Sequence, residues 1–362
     1  MTIVIVNDNH SQLYDNIKKH GGIMRIILSA TLFIFTFLNV AYANEVNLFT
    51  SRHYDSDLKL YQKFTAKTGI KVNVVSGKAK ALEKRLLSEG KSSKADVYIT
   101  VDAGALGSAK AKGIFQRINS KTLNSKIPAN FRTAHWYGVA KRARIIYYNP
   151  KLISASEAKS LNYEDLSNPK YKNSVVIRAS SNTYNKSLVA SLIANNGSGK
   201  TGNWAKGIVS NMARDPKGND RAQIMAVAAG KAKLAVANSY YIALMLSGKK
   251  GPEQQAAAQK VKPVFPNQGN RGTHMNISGG GVVKHAPNKA NAIKFLEFLL
   301  TKEAQQHIVN NTYEYPMISG VKPNNLIGQF GTSFKQDTKT KVSTYYKNQK
   351  KALALMKKAG WK

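Results

Sequence analysis

Tyr137-Gly-Val-Ala-Lys-Arg-Ala-Arg-Ile-Ile-Tyr-Tyr-Asn-Pro150 reads as one long strand. β-Branched and aromatic residues suit a pleated, half-buried surface. Pro150, without an N–H, ends the pairing. Upstream, Val46-Asn-Leu-Phe-Thr50 alternates as a strand. Asp57 to Thr68 carries Leu58, Tyr61 and Phe64 at helical spacing, and Gly69 stops it. A strand over 70–75, a helix over 79–87 and a strand over 95–100 follow. A second strand–helix series runs from about Val175 to Ala237. A return segment then passes Pro263 and Pro266 to reach Met275-Asn-Ile-Ser-Gly-Gly-Gly-Val-Val283. The alternation predicts α/β packing with mixed sheets flanked by helices. Two long connections between two α/β lobes place hinge strands and a cleft between them. The expected lobes are 44–139 plus 275–322, and 140–274 plus 323–362. Gly279 to Gly281 lack the Lys-Ser/Thr of a phosphate loop and are expected to form a tight bend. The tail from Asp337 to Lys362 is expected to be helical.

Before the first strand, Met24-Arg, the apolar run Ile26 to Val40 and Ala41-Tyr-Ala43 have the layout of a secretory signal. Cleavage is expected after Ala43, with Met24 as the true start, so that 1–43 is an upstream extension and signal peptide. Export permits disulfides, but the chain of 362 residues has no cysteine to form them. It carries 55 basic and 19 acidic residues. Without 1–43 there remain 52 basic and 17 acidic, a formal +35. The lysines are spread along the whole chain and no nucleic-acid-binding motif is present, so no nucleic-acid partner is expected and the charge reads as a solvated basic surface. No Gly-x-Ser-x-Gly elbow, His-Glu-x-x-His or dinucleotide fingerprint points to an enzyme.

Four tyrosines have polar settings. Tyr54 lies in Thr-Ser-Arg-His-Tyr, Tyr184 in Ser-Ser-Asn-Thr-Tyr-Asn, and Tyr240-Tyr241 in Ala-Asn-Ser-Tyr-Tyr. Phenolates without thiols suit a hard cation such as Fe³⁺. Tyr147-Tyr148, inside an apolar strand, reads instead as core. A helix is expected from Tyr240, capped by Asn238 or Ser239. His135, His274, His285 and His307 lack metal-ligand spacing, and Asp220-Arg221 reads as a surface ion pair.

Gly280-Gly-Val-Val-Lys-His-Ala-Pro-Asn, with Ala290-Asn-Ala-Ile-Lys-Phe-Leu-Glu-Phe-Leu-Leu and Glu303-Ala-Gln305, resembles the late segment of the type II extracellular solute-binding proteins. These are two-lobed periplasmic partners of ABC importers. Ser51-Arg-His-Tyr54, Ala95-Asp-Val-Tyr-Ile-Thr-Val-Asp-Ala103, Arg142-Ala-Arg144, Ser180-Ser-Asn-Thr-Tyr-Asn185 and Asn238-Ser-Tyr-Tyr241 resemble the ferric-ion-binding branch, in order along 44–362. The resemblance implies Fe³⁺ as transported ligand, held by Tyr54, Tyr184, Tyr240 and Tyr241, with His53 as a further ligand or a bystander. It implies a periplasmic monomer that delivers iron to a membrane permease and its ATPase. Where some relatives supply a glutamate and recruit phosphate, this chain has Val101, with Asp102 expected on the opposite face of a continuing strand. A tyrosine-rich subtype is therefore expected. Four tyrosinates and Fe³⁺ leave a net −1, for which Arg144, Arg142 and Arg52 are the candidate neutralising cations. A polyamine or thiamine receptor, and a basic exported protein that adheres to polyanions, are the alternative readings.

Overall fold

Alternating burial along Glu45–Thr50 (β1) puts Val46 and Leu48 into an apolar core. The computed structural model describes residues 44–362 apart from His53 and Thr332. The expected signal peptide and the candidate ligand His53 lie outside the described residues. After β1 come α1 (Ser56–Thr68), β2 (Lys71–Ser76), α2 (Ala79–Glu89), β3 (Val97–Thr100), α3 (Ala103–Ala111) and α4 (Lys121–Lys126). β4 (Tyr137–Tyr148), α5 (Ala155–Ser160), β5 (Val175–Val176), α6 (Thr183–Asn211), α7 (Asp220–Ala228) and β6 (Leu234–Asn238) follow. The chain continues through α8 (Tyr240–Leu246), α9 (Pro252–Gln259), β7 (Lys262–Val264), β8 (Met275–Val282) and α10 (Lys289–Phe298). It closes with α11 (Lys302–Thr312), β9 (Tyr315–Pro316), α12 (Asn325–Gly328) and α13 (Thr344–Lys358).

The strand order is β2-β1-β3-β8-β4-β6-β5. β1 pairs parallel with β2 and β3, whereas β8 runs antiparallel to β3 and β4. β4 joins two halves of this sheet. Tyr137 to Ala143 pair with β8, and Arg144 to Tyr148 pair with β6. The handover falls between Ala143 and Arg144, in the middle of the run read as the long strand. α1 caps one half: Phe64 meets Phe295 edge-on at 5.2 Å and Phe298 at 5.3 Å. Such aromatic pairs contribute about 0.5–1.5 kcal/mol beyond the area they bury. Gly69, at φ 69°, ends α1 by donating its N–H to the Thr65 carbonyl.

Three local expectations are corrected. Gly279 to Gly281 form no bend; they lie inside β8, squeezed between β3 and β4. A Cβ at Gly280 would come within 2.7 Å of the Tyr98 carbonyl oxygen, and one at Gly281 within 2.2 Å of that of His135. Close backbone approach therefore requires glycine here. The strand before Val101 does not continue: β3 ends at Thr100, and Asp102 caps α3 by accepting from Gly104 N–H. The tail is helical only from Thr344, because Asp337 N–H is used on the Thr273 carbonyl and its carboxylate accepts from Thr340 N–H. Helix α13 packs on α6 and α3, and a Cβ at Gly107 would sit 2.3 Å from Tyr346.

Candidate metal centre

Tyr54 follows β1, in the turn where Asp57 N–H closes on the Tyr54 carbonyl at the entrance to α1. Tyr184 is the second residue of α6. Asn182 caps that helix by accepting from both Tyr184 and Asn185 N–H, which fixes where the phenol starts. Tyr240 and Tyr241 open α8 directly after β6. Neither Asn238 nor Ser239 caps α8 with its side chain, contrary to expectation. Both oxygens are engaged by β4: Asn238 Oδ1 accepts from Arg144 at 3.0 Å and Ser239 Oγ from Ala143 N–H at 3.3 Å.

The four phenols converge. Tyr184 and Tyr240 hydroxyls are 3.5 Å apart, and the rings of Tyr240 and Tyr241 are 4.2 Å apart. Tyr54 is near enough to feel the charge of Tyr184 and Tyr240. A cavity of about 480 Å³ opens beside Tyr54, Tyr240 and Tyr241, with Arg221, Lys249 and Lys250 around it. A larger cavity, of about 680 Å³, lies between α7 and α9, away from the phenols. Among the described residues no group of three or more His, Cys, Asp or Glu could hold a metal. The oxygen donors that gather are therefore phenolic.

Ion pairs surround this cluster. Arg142, Arg144 and Arg178 carry their guanidinium carbons 5.3, 5.9 and 5.9 Å from the centre of the Tyr184 ring. Arg52 stands 4.9 Å from that of Tyr54. Glu314, buried in the core, bridges Arg52 (3.2 Å) and Arg142 (3.5 Å). Arg52 also pairs with Asp57 at 2.7 Å. Asp220 bridges Arg144 (2.9 Å) and Arg178 (2.8 Å). The expected surface pair with Arg221 is thus corrected: Asp220 is 0% exposed, and Arg221 donates to Gln254 instead. Asp220 begins α7, and adjacent helical residues diverge by about 100°, so its neighbour turns outward. Glu314 and Arg178 escaped the sequence reading. The one local signal for Glu314 was a charge set between aromatics, in Tyr313-Glu-Tyr-Pro316. Tyr147 is core, as expected, and donates its hydroxyl to the Asn238 carbonyl.

Four arginines thus meet three carboxylates, Asp57, Asp220 and Glu314, a formal surplus of one positive charge. Asp102 is satisfied separately, by Gly104 N–H, Ser187 and Asn276. Burial pushes the Tyr54 phenol well above its ordinary range, helped by Glu314. Burial does the same to Tyr240, together with Tyr184 and Tyr241. Tyr241 is also raised, first by burial and then by Tyr184 and Asp220. With no cation present these three phenols keep their protons. A multivalent cation among them reverses that preference.

His274, at the handover where its carbonyl accepts from Arg144 N–H, is buried and has no partner on either ring nitrogen among the described residues. Burial, then Arg144, Arg142 and Arg271, pulls its pKa down to about 3. Unfolding returns it to about 6.5. Its neutral form therefore contributes stability above pH 6.5 that is lost as pH falls from there towards 3, at up to about 1.4 kcal/mol per pH unit. Urea midpoints taken from pH 7 to pH 4 are expected to fall less steeply in His274→Gln than in the natural chain. Parallel curves would contradict this.

Residues 92–329 match the family described as bacterial extracellular solute-binding protein. Iron uptake protein A1 of Synechocystis is 48% identical over 320 residues, which cover 88% of each chain. The Trichodesmium protein (IdiA, FutA) solved in complex with iron and citrate is 53% identical, with a TM-score of 0.85, covering 88% of this chain and all of that one. A ferric binding protein from Campylobacter jejuni is 41% identical with a TM-score of 0.80, over 88% of this chain and all of its own.

Proposed function

The chain belongs to the bacterial extracellular solute-binding proteins, and from that premise we propose that it captures one ferric ion in the periplasm and hands it to an ABC permease and its ATPase. The single observation that carries this reading is the convergence of Tyr54, Tyr184, Tyr240 and Tyr241 inside a ring of arginine–carboxylate pairs. In this reading all four phenols bind as tyrosinates, and His53 is a further ligand or a bystander. Four tyrosinates around Fe³⁺ leave one negative charge, which the surplus arginine charge offsets. Arg142, Arg144 and Arg52 are the cations the sequence nominated, and Arg178 joins them. Asn238 orients Arg144 from beside the phenols. The lobes that close on the metal are 44–139 with 275–322, and 140–274 with 323–362, in a monomer. Closure signals a loaded receptor to the permease because metal binds the closed state preferentially. The protein binds and releases; it catalyses nothing.

A polyamine receptor needs carboxylates free to meet ammonium groups. Here Asp57, Asp220 and Glu314 are already committed to arginines. Thiamine would meet a single carboxylate in the cavity, Asp55, among Arg221, Lys249 and Lys250.

Binding to phenols displaces their protons, so affinity falls with acidity. Ferric titrations in the presence of a competing chelator of known proton affinity are expected to show proton release and a weaker complex at pH 5.5 than at pH 7.5. A complex whose proton-corrected affinity does not change with pH would overturn phenolate ligation. Reduction to Fe²⁺ takes the four-tyrosinate complex from −1 to −2, so the arginine surplus of one no longer balances it and one negative charge is left uncompensated, which burial penalises. Dithionite in the presence of a ferrous chelator is expected to strip the metal quickly; retention as tight as for Fe³⁺ would contradict that route of release.

A further inference from the structure

Lys141 and Arg142 are neighbours on β4, and successive strand residues point to opposite faces. Arg142 faces the Tyr184 ring, so Lys141 opens on the other side of the strand, away from the phenols. On that side lies a cavity of about 540 Å³. Lys141 pairs with Tyr315 of β9 at its edge. Pro316, Ile318 and Val321 supply apolar wall. The polar lining is Lys141, Lys322 and the carboxamides of Asn325, Gln329 and Gln336, with no carboxylate. Every one of these side chains can donate a hydrogen bond.

The Lys141 ammonium is half-buried and has no counter-ion among the described residues. The Phe131 ring lies 5.5 Å from it, and among the described residues no carboxylate or hydrogen-bond acceptor meets it. Burial pulls its pKa down to about 8, so at neutral pH it is still mostly charged. A charge held away from water without a counter-ion is costly unless a ligand supplies one. One ammonium, flanking amide donors and an apolar wall suit a monoanion with an apolar body. A phosphate dianion would leave the wall unused.

We propose that this cavity binds a small carboxylate carried on an apolar body, with the carboxylate on Lys141 and the body against Pro316, Ile318 and Val321. The site is separate from the tyrosine cluster and does not depend on its being a ferric site.

The test is calorimetric titration of the iron-free chain, 44–362, with benzoate. Benzoate is expected to bind at one equivalent, and its neutral counterpart benzamide at least tenfold more weakly. Lys141→Met is expected to weaken benzoate at least tenfold, while Lys91→Met, at an exposed lysine, leaves it unchanged. Absence of benzoate binding, equal binding of benzamide, equal binding by Lys141→Met, or equal weakening by Lys91→Met overturns the proposal. A second measurement needs no variant. Trinitrobenzenesulfonate labelling of Lys141, followed by mass spectrometry, is expected to slow at least fivefold under saturating benzoate; an unchanged rate overturns the proposal. Ferric binding by Lys141→Met is read in parallel, so the two sites stand or fall separately.

Discussion

Replacing Tyr240 and Tyr241 together by phenylalanine is expected to abolish ferric binding at physiological concentrations while leaving the fold intact. Two of the four phenolate oxygens disappear, and the complex changes from a formal −1 to +1 inside a shell that is already positive by one. Removing one partner from a buried charge pair costs about 3–5 kcal/mol. Even one such loss corresponds to roughly a thousandfold in affinity. Phenylalanine keeps the ring contact at 4.2 Å, and the Tyr240 hydroxyl it removes makes only a long contact of 3.5 Å to the Tyr184 hydroxyl, so little hydrogen bonding is lost in the metal-free state. The urea midpoint of the metal-free double variant is therefore expected to equal or exceed that of the natural chain. Tyr147→Phe is the opposite case. Its hydroxyl bonds the Asn238 carbonyl deep in the core, so its loss is expected to lower stability by about 1–3 kcal/mol and to leave ferric binding in place. A double variant that still binds iron tightly, or one that unfolds, would contradict the assignment.

Asp220→Asn is expected to show the reverse pattern: a large loss of stability with the metal still bound. Asp220 is the shared counter-ion of Arg144 and Arg178 and also accepts from Asn238 N–H. Removing its charge leaves Arg144, whose side chain is 1% exposed, without a neutralising partner. The cost is about 3–5 kcal/mol in the metal-free protein, read as a lower urea midpoint. In the loaded protein the four tyrosinates supply the missing negative charge, so the loss is expected to shrink when Fe³⁺ is bound. Equal losses with and without metal would mean that the arginines and phenols are not electrostatically coupled. No loss at all would mean that the pair contributes nothing net.

The crossover strand was legible because its signals are local. A β-branched and aromatic run bounded by Pro150 has few alternatives, and β4 spans Tyr137–Tyr148. The tyrosines stood out through their polar flanks, but only the resemblance said that residues as distant as Tyr54 and Tyr240 act together. The charge shell was not legible, because its pairs are set by the fold. Arg52 and Glu314 are 262 positions apart, and Arg144 and Asp220 are 76. An Asp-Arg pair reads locally as a surface feature, and nothing nearby reveals that α7 begins against buried guanidiniums. Gly279 to Gly281 failed for a different reason. A bend and a close backbone approach both demand glycine, and composition cannot tell them apart. Ser239 looks like a helix cap, yet β4 takes its hydroxyl first.

The visible spectrum of chain 44–362 during titration with a ferric salt supplied as a weak chelate decides whether tyrosinates hold the metal. Tyrosinate coordination predicts a broad charge-transfer band and a red or orange solution, saturating at one equivalent and bleached by dithionite. A colourless protein, with the iron precipitating or staying on its chelator, would contradict a tyrosinate ferric site.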